Sequence, residues 1–198
     1  RFMRAMLPSR LLRVSALVRI GFILPLTSHA VTWNVGAGQQ YTAPSQVSTL
    51  VGDGDTVNIE AGVYPSDVAR WTANGLLLRG VGGLAELESN GMSYGGKAIW
   101  VIQGNNTTVE HIAFSECTVP DQNGAGIRLE GLNLTVLHCY FHHNENGILC
   151  GEYHPSTVRS EHSECGHHGC GDGYSHNLYI GNIDSLIFRF NYSHHADV

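Results

Sequence analysis

Short apolar segments alternate with polar turns along most of the chain, and they recur at a repeating interval. Within residues 124–151, one apolar segment covers 127–129 and a second covers 134–141, with a tight Leu-Asn turn between them. A polar His-Asn-Glu-Asn-Gly loop then returns the chain to a new apolar segment that begins at Gly147. The pattern predicts two short strands and a return loop, which together make one unit of a stacked repeat.

Two sets of strand anchors keep nearly the same period. The first set consists of Ile99, Ile127, Ile148 and Leu178, and the second consists of Val109, Val136, Val158 and Ile187. The residues three positions after the second set are predicted to point inward: Ile112, Cys139, Glu161 and Phe190. Two strands with one period predict an all-β chain, a right-handed parallel β-helix whose coils bury their apolar faces against their neighbours.

Two other architectures have short repeated strands. A leucine-rich repeat has a similar length, but it needs regular leucines and a helical return, whereas these returns are rich in Gly, Asn and His. An antiparallel β-sandwich would not stack similar residues at one interval.

Asn106, Asn133 and Asp184 recur three residues before their anchors, and Pro155 interrupts this row. Because Asn and Asp tolerate unusual turn dihedrals, the row predicts a ladder of side chains that bonds neighbouring turns.

Residues 1–30 are typical of a secretory signal peptide. Arg4, Arg10 and Arg13 precede an apolar stretch at 16–26, and Ser28-His29-Ala30 ends in the small-x-small pattern of a cleavage site. The uninterrupted apolar run at 20–26 is far shorter than the ~20 residues of a membrane span. The sequence therefore predicts an exported protein, secreted or periplasmic, with no membrane span in its mature chain.

Removal of this segment changes the charge. Residues 1–30 contain five of the 11 Arg and Lys residues and no carboxylate, so six cations remain against 17 acidic residues, a net charge near −11. Nucleic acid is excluded as a partner, because phosphate neutralisation needs clustered Lys and Arg. An acidic polysaccharide would need a local basic patch or a bridging Ca²⁺ ion.

The start of the mature chain shows a further pattern. Residues 44–51 are predicted to form a short N-terminal capping helix, with Thr42 or Ser45 as the N-cap and Gly52 as the stop. A strand then begins with Gly-Asp-Thr-Val at 54–57 and ends in an Ala-Gly-x-Tyr turn at 61–64. The helix would cover the open end of the first coil.

With the coils that follow, these features resemble the secreted right-handed β-helix proteins of the pectate-lyase-like superfamily. The resemblance covers residues 31–198, and the end of the chain directly after a strand predicts a β-helix domain truncated at its C-terminal end. The superfamily contains polysaccharide lyases, glycoside hydrolases, epimerases, phage tailspikes and adhesins. The resemblance therefore implies the fold and an extended glycan as partner, but no particular reaction.

Candidate glycan-binding residues lie at the outward positions of the first strand. This row consists of Trp100, Arg128, Leu149 and Tyr179. Aromatic faces stack on sugar rings, and Arg128 with Glu130 would hold hydroxyls or a carboxylate.

Candidate catalytic residues concentrate in the fourth regular coil. For a lyase-type reaction, His176, Tyr179 or Arg189 would be the base, and Asp172 would hold the Ca²⁺ ion that neutralises a uronate carboxylate. The leading hypothesis is an exported protein that binds or degrades a polysaccharide. The alternative is a non-catalytic adhesin, tailspike-like protein or structural module of the cell envelope.

Five cysteines in an exported protein make disulfides possible. Cys139 and Cys150 align with apolar anchors and are predicted to be core residues, whereas Cys165 and Cys170 would close a small disulfide loop around Gly-His-His-Gly. A zinc site in this loop, or a turn without chemistry, are the other interpretations. Three His-His pairs, at 142–143, 167–168 and 194–195, are predicted to form a row along one side of the coils.

Overall fold

The computed structural model describes residues 29–169 and 173–196, and it is built almost entirely from β-strands. The predicted signal segment, residues 1–30, lies outside the described residues except for its last two. In chain order the strands are β1 (Thr32–Val35), β2 (Thr56–Val63), β3 (Ala69–Trp71), β4 (Leu77–Glu88), β5 (Ala98–Ile102), β6 (Thr107–Glu110), β7 (Ile112–Ser115), β8 (Ala125–Leu129), β9 (Leu134–Leu137), β10 (Tyr140–His142), β11 (Asn146–Cys150), β12 (Thr157–Glu161), β13 (Glu164–Gly166), β14 (Leu178–Ile180), β15 (Ser185–Arg189) and β16 (Tyr192–Ser193). No helix in the described ranges has the length and apolar character needed to cross a membrane.

These strands form two sheets, and the neighbouring strands within each sheet are parallel. One sheet contains five strands in the order β14-β11-β8-β5-β3. The other follows the path β15-β12-β9-β6-β4-β7-β10-β13-β16, with β2 beside β4 and β1 beside β2. Each regular coil therefore contributes three strands on three sides, such as β5, β6 and β7. This arrangement confirms the predicted parallel β-helix.

The register of the coils is confirmed at its centre. Ile127 pairs with Ile148, and Val109 pairs with Val136. The first anchor is wrong by one residue, because the partner of Ile127 is Trp100 rather than Ile99. All five residues of β5 are buried, so the alternation of apolar and polar positions that fixes the phase of a strand is missing there.

Later anchors of the second strand are also wrong. Val136 pairs with Ser160 instead of Val158, because the buried Ser160 side chain takes the inward position in that coil. The next anchor shifts too, since Val158 pairs with Leu186 and not with Ile187. Phe190, predicted to point inward, is 71% exposed.

The predicted capping helix is not an α-helix. A single 3₁₀ helix, Pro44–Gln46, is followed by turns, and its N-cap Ala43 makes no side-chain capping bond. The segment is too short to nucleate an α-helix, and its Val, Thr and Ser residues have low helix propensity. Val47 nevertheless lies fully buried in the core, so the segment still packs onto the coils.

Aromatic rings run through the core from coil to coil. Trp71 contacts Trp100 with ring centroids 5.2 Å apart, Trp100 contacts Phe114 at 5.1 Å, and Phe114 stacks on Phe141 at 4.9 Å. Cys139 and Cys150 are buried core residues, as predicted.

The predicted ladder of turn residues is present. Asn133 Nδ2 donates to Asn106 Oδ1 at 2.9 Å, and Asn133 Oδ1 accepts the backbone N–H of Thr157 at 2.8 Å. In the coil interrupted by Pro155, Asp184 still accepts the backbone N–H of Ser156 at 2.6 Å. Side-chain amides and a carboxylate thus connect the turns of neighbouring coils. Apolar packing alone would not fix the positions of these turns.

We expect Asn133→Ala to lower the free energy of unfolding by about 1–2 kcal/mol. The substitution removes two hydrogen bonds, and alanine tolerates the left-handed φ of 59° at this position less well than asparagine does. Urea unfolding measures the change, with Ser66→Ala, also at a left-handed φ but outside this ladder, as the control. A loss below about 0.5 kcal/mol, the lower end expected for one hydrogen bond, would mean that the ladder does not stabilise the coils.

Candidate functional site

The outward face of the five-stranded sheet presents one side chain per coil in a continuous row. Arg128 pairs with Leu149, and Leu149 pairs with Tyr179, which confirms this part of the predicted row. Trp100 does not belong to it, because Val101 is the partner of Arg128 and Trp100 is fully buried. The prediction that Trp100 binds substrate is therefore wrong, and the cause is the one-residue slip in β5. Neighbouring side chains in the row are about 4.8 Å apart, the usual strand separation.

An open cleft of about 490 Å³ covers this row. Its lining residues come from three coils and the loops before them: Asp121, Gln122, Asn123, Arg128, Asn146, Leu149, Tyr174, His176 and Tyr179. The imidazole of His176 stacks on the Tyr179 ring, with centroids 5.4 Å apart and planes 19° apart. The structure thus brings together three of the predicted site residues: Arg128, His176 and Tyr179.

One wall of the cleft is a loop fixed from below by a buried carboxylate. Glu145 is 6% exposed, and its Oε2 accepts the backbone N–H of Gly124 at 2.5 Å and that of Val119 at 3.1 Å. A side chain at Gly124 would not fit, because an added Cβ would lie 2.7 Å from the same carboxylate oxygen. The loop that carries Asp121 and Asn123 is therefore held in place at its base.

Two buried hydrogen-bond donors at the floor of the cleft have no partner among the described residues. Arg128 Nε is buried and has no partner among the described residues, and the same holds for Asn146 Nδ2. Asn146 Oδ1 accepts the backbone N–H of His176 at 2.8 Å, which fixes the amide and aligns the start of β14. A buried donor without a partner is costly, so both groups favour a ligand with acceptor oxygens.

Glu130 is not available as a partner for such a ligand. Its carboxylate forms an ion pair with Lys97 and accepts a 2.8 Å hydrogen bond from Gln103. Burial opposes its ionisation, but the hydrogen bonds from Gln103 and Lys97, together with the positive charges of Lys97 and Arg128, hold the pKa of Glu130 below its ordinary value. Glu130 is therefore an ion-paired residue beside the row, and it does not line the cleft.

Arg189 lies away from the cleft. It belongs to β15 of the larger sheet, where Nε donates to Glu161 Oε1 at 2.7 Å and the guanidinium lies 5.8 Å from the Phe190 ring centroid. The structure does not bring Arg189 together with His176 and Tyr179. Asp172 lies outside the described residues, so its catalytic role and its Ca²⁺ ion stay predictions.

Cys165 lies in β13 and is 5% exposed, whereas the sequence pattern predicts it in a return loop. Cys170 lies outside the described residues, so their disulfide stays a prediction. His168 is also buried, at 0% exposure. Neither Cys165 nor His168 can therefore offer a ligand to an ion at the surface of this loop.

Two stacks of rings follow left-handed corners of the coils. In the first stack, consecutive centroids are 5.0–5.1 Å apart, and the rings are His111, His138, His162 and Phe190. In the second stack, the separations are 5.5 and 4.9 Å, and the rings are His143, His167 and His195. All seven residues have φ between 44° and 58°. The predicted row of histidines is thus present, with one member from each His-His pair.

Sequence reasoning missed Asn146 and the loop 121–123. Asn146 begins β11, two residues before the anchor Ile148, so the coil register alone could have placed it beside the row. The loop gives no comparable signal, because its conformation depends on hydrogen bonds to Glu145 from a different coil.

Comparison with known proteins gives one family match and several similar structures. Residues 54–193 match the family model for a right handed beta helix region. Pectin methylesterase PemA from Erwinia chrysanthemi is 11% identical with a TM-score of 0.42, over 71% of this chain and 54% of that one. Pectate lyase Pel9A is 11% identical with a TM-score of 0.43, over 81% of this chain and 63% of that one. A pectin methylesterase variant in complex with a hexasaccharide is 12% identical with a TM-score of 0.44, over 82% and 67%.

The family model covers more than half of this chain, and the chain spans about half the length of the first of these structures. No curated protein matches the sequence.

Proposed function

This chain belongs to the right-handed β-helix family, and we propose that the cleft over its five-stranded sheet binds an extended acidic polysaccharide. The observation that carries the proposal is Arg128, whose buried Nε has no partner among the described residues and whose neighbours in the row are Leu149 and Tyr179. A planar guanidinium pairs with a carboxylate through two parallel hydrogen bonds. Arg128 is therefore suited to a uronate residue of a polymer.

The other lining groups complement a sugar chain. Tyr179 is 53% exposed and its ring is supported by His176, which makes it a platform for stacking on a sugar face. The amides of Asn123 and Asn146 supply donors and acceptors for hydroxyl groups. Because the row runs across successive coils, it offers successive subsites to a polymer. Such substrates lie outside the cell, which agrees with the export predicted from the signal-like segment at 1–30.

Lyase-type cleavage is a second candidate function, favoured by the presence of His176 and Arg128 in one cleft. Arg128 would neutralise the uronate carboxylate, and His176 would remove the proton α to it. The electron pair of that C–H bond would form a C=C bond as the glycosidic C–O bond at the β position breaks. The departing sugar oxygen would then take a proton. Asp121 is the one carboxylate among the described lining residues.

We expect Arg128→Ala to weaken binding of a uronate polymer at least tenfold, which corresponds to about 1.4 kcal/mol. Calorimetric titration with polygalacturonate measures the change, and a fully esterified polymer of the same length tests recognition of the carboxylate. Arg159→Ala is the matched control, because Arg159 is a partly exposed arginine on the other sheet, beside Glu161. Equal binding by the Arg128→Ala and Arg159→Ala variants would contradict the proposed site.

Lyase activity can be measured separately from polymer binding. Elimination gives an unsaturated uronate whose ultraviolet absorbance grows with time, and His176→Ala should abolish that growth while polymer binding falls by less than about tenfold. A full-length chain that binds the polymer and gives no unsaturated product would be a binding module, such as an adhesin, tailspike-like or cell-envelope protein. Binding of neither the acidic nor the esterified polymer would overturn the proposed function itself.

A further inference from the structure

Three imidazoles converge at the corner that follows the third strands of the last two described coils. His167 follows β13, and His194 and His195 follow β16. One ring nitrogen from each lies within 4.8 Å of the other two. His195 stacks parallel to His167, whereas the ring of His194 stands at 83° and 88° to the other two. Lone pairs lie in the ring planes, so crossed rings can direct them to one point.

We propose that His167, His194 and His195 form a binding site for a divalent transition-metal ion, with Zn²⁺ as the best match. Imidazole nitrogens suit zinc, and three histidines leave a fourth tetrahedral position open for water or a ligand. Two Zn–N bonds of about 2.0–2.1 Å place their nitrogens roughly 3.3 Å apart. The Nδ1 atoms of His194 and His195 are 2.6 Å apart, so a metal ion requires the pair to open by less than about 1 Å.

Glu164 prepares His194 for this role. Its Oε1 lies 3.0 Å from His194 Nε2 and accepts a hydrogen bond from the N–H of that nitrogen. The free lone pair of the His194 ring is then on Nδ1. A carboxylate behind a metal-binding histidine fixes the tautomer and raises the basicity of the ligand. Without a metal, the His195 Nδ1–H donates to His194 Nδ1; with a metal, His195 carries its proton on Nε2 instead.

Gly166 makes room for the crossed ring. A Cβ added at this position would lie 2.6 Å from His194 Nε2, so another residue there would displace the imidazole. The preceding coil has His142 in the position that pairs with Gly166. In the coil before the last, Gly166-His167 therefore takes the place of His142-His143, which lets His194 of the last described coil lie against the strand.

The other stack of rings lacks this arrangement and serves as an internal comparison. His111, His138 and His162 lie parallel within 19° and have no crossed partner among the described residues. Across the described ranges, His167, His194 and His195 are the group of three whose ligand atoms meet at metal-binding separation. The site lies outside the cleft lining, so it does not depend on the proposed polysaccharide binding.

Titration of the EDTA-treated, full-length chain with Zn²⁺ is expected to show one site per chain. His195→Ala should weaken it at least tenfold, and Glu164→Gln should weaken it about tenfold with unchanged stoichiometry, as for other carboxylates behind a histidine ligand. Gly166→Ala should also weaken binding, because it displaces His194. Far-ultraviolet circular dichroism of each metal-free variant confirms that the coils are intact.

Two variants provide the controls. His162→Ala removes an imidazole from the other stack and should bind Zn²⁺ like the unchanged chain. Cys170→Ser removes a thiol three residues after His167 and should also bind normally. Absence of one-to-one binding, equal losses in His162→Ala and His195→Ala, or loss of binding in Cys170→Ser would each overturn the proposal.

Discussion

Trp100→Ala is expected to lower the free energy of unfolding by about 3–5 kcal/mol, the usual cost of truncating a buried tryptophan. Trp100 is fully buried, and its ring contacts Trp71 in one neighbouring coil and Phe114 in its own. Its indole Nε1 has no hydrogen-bond partner in the described part of the chain, so the loss comes from packing and the cavity alone. Equilibrium unfolding in guanidinium chloride measures the change.

Tyr179→Ala is the matched control on the same sheet. Tyr179 points outward and is 53% exposed, so its truncation should change stability by no more than about 0.5 kcal/mol. The two variants therefore separate the inner face of the sheet from the outer one. Similar costs for both would mean that β5 is turned by one residue, with Trp100 on the outward face.

The repeat period predicts most of the fold because each coil can bury its apolar side chains only against its neighbours. Where a strand alternates, as in β9, the inward positions Leu134 and Val136 follow from the sequence. β5 is different, because its inward residues join the core and its outward residues Ala98 and Val101 are covered by Tyr94. When both faces of a strand are apolar, the sequence does not show which of its residues point inward, and the pattern therefore misplaces Trp100.

The candidate site is predictable to the extent that it follows the coil register. Arg128 and Tyr179 share an outward row, and His176 precedes that row by three residues, so one assignment of register places all three. Proximity in sequence groups Arg189 with them, but neighbouring strands of one coil lie on different sides of the helix. The loop 121–123 depends on Glu145, whose partners are 21 and 26 residues away.

The second large effect concerns pH. We expect the free energy of unfolding to fall by on the order of 3 kcal/mol between pH 6.5 and pH 4, chiefly because of His168. Burial lowers the pKa of His168 to about 4, against the weaker effect of a hydrogen bond to the Asn144 carbonyl, and the nearby charges of His142, His143 and His167 act in the same direction as burial. Burial also lowers the pKa of His142, which adds a smaller contribution of the same sign.

The sign follows from which state binds the proton. The pKa of His168 is lower in the folded chain than in the unfolded chain, so below pH 6.5 the unfolded state takes up a proton that the folded state does not. The stability is fully present above pH 6.5 and is lost as the pH falls toward the folded pKa. His168→Gln keeps a neutral polar side chain at every pH, so this variant should lose most of the slope between pH 6.5 and 4.

Ile148→Val is the control for destabilisation without titration. Ile148 is fully buried in β11, and the loss of one methyl group should cost about 0.5–1.5 kcal/mol equally at every pH. Urea unfolding in EDTA at pH 7.5, 6, 5 and 4 compares the three chains. If His168→Gln keeps the full slope of the unchanged chain, His168 is protonated in the folded state and the inward placement of its ring is wrong.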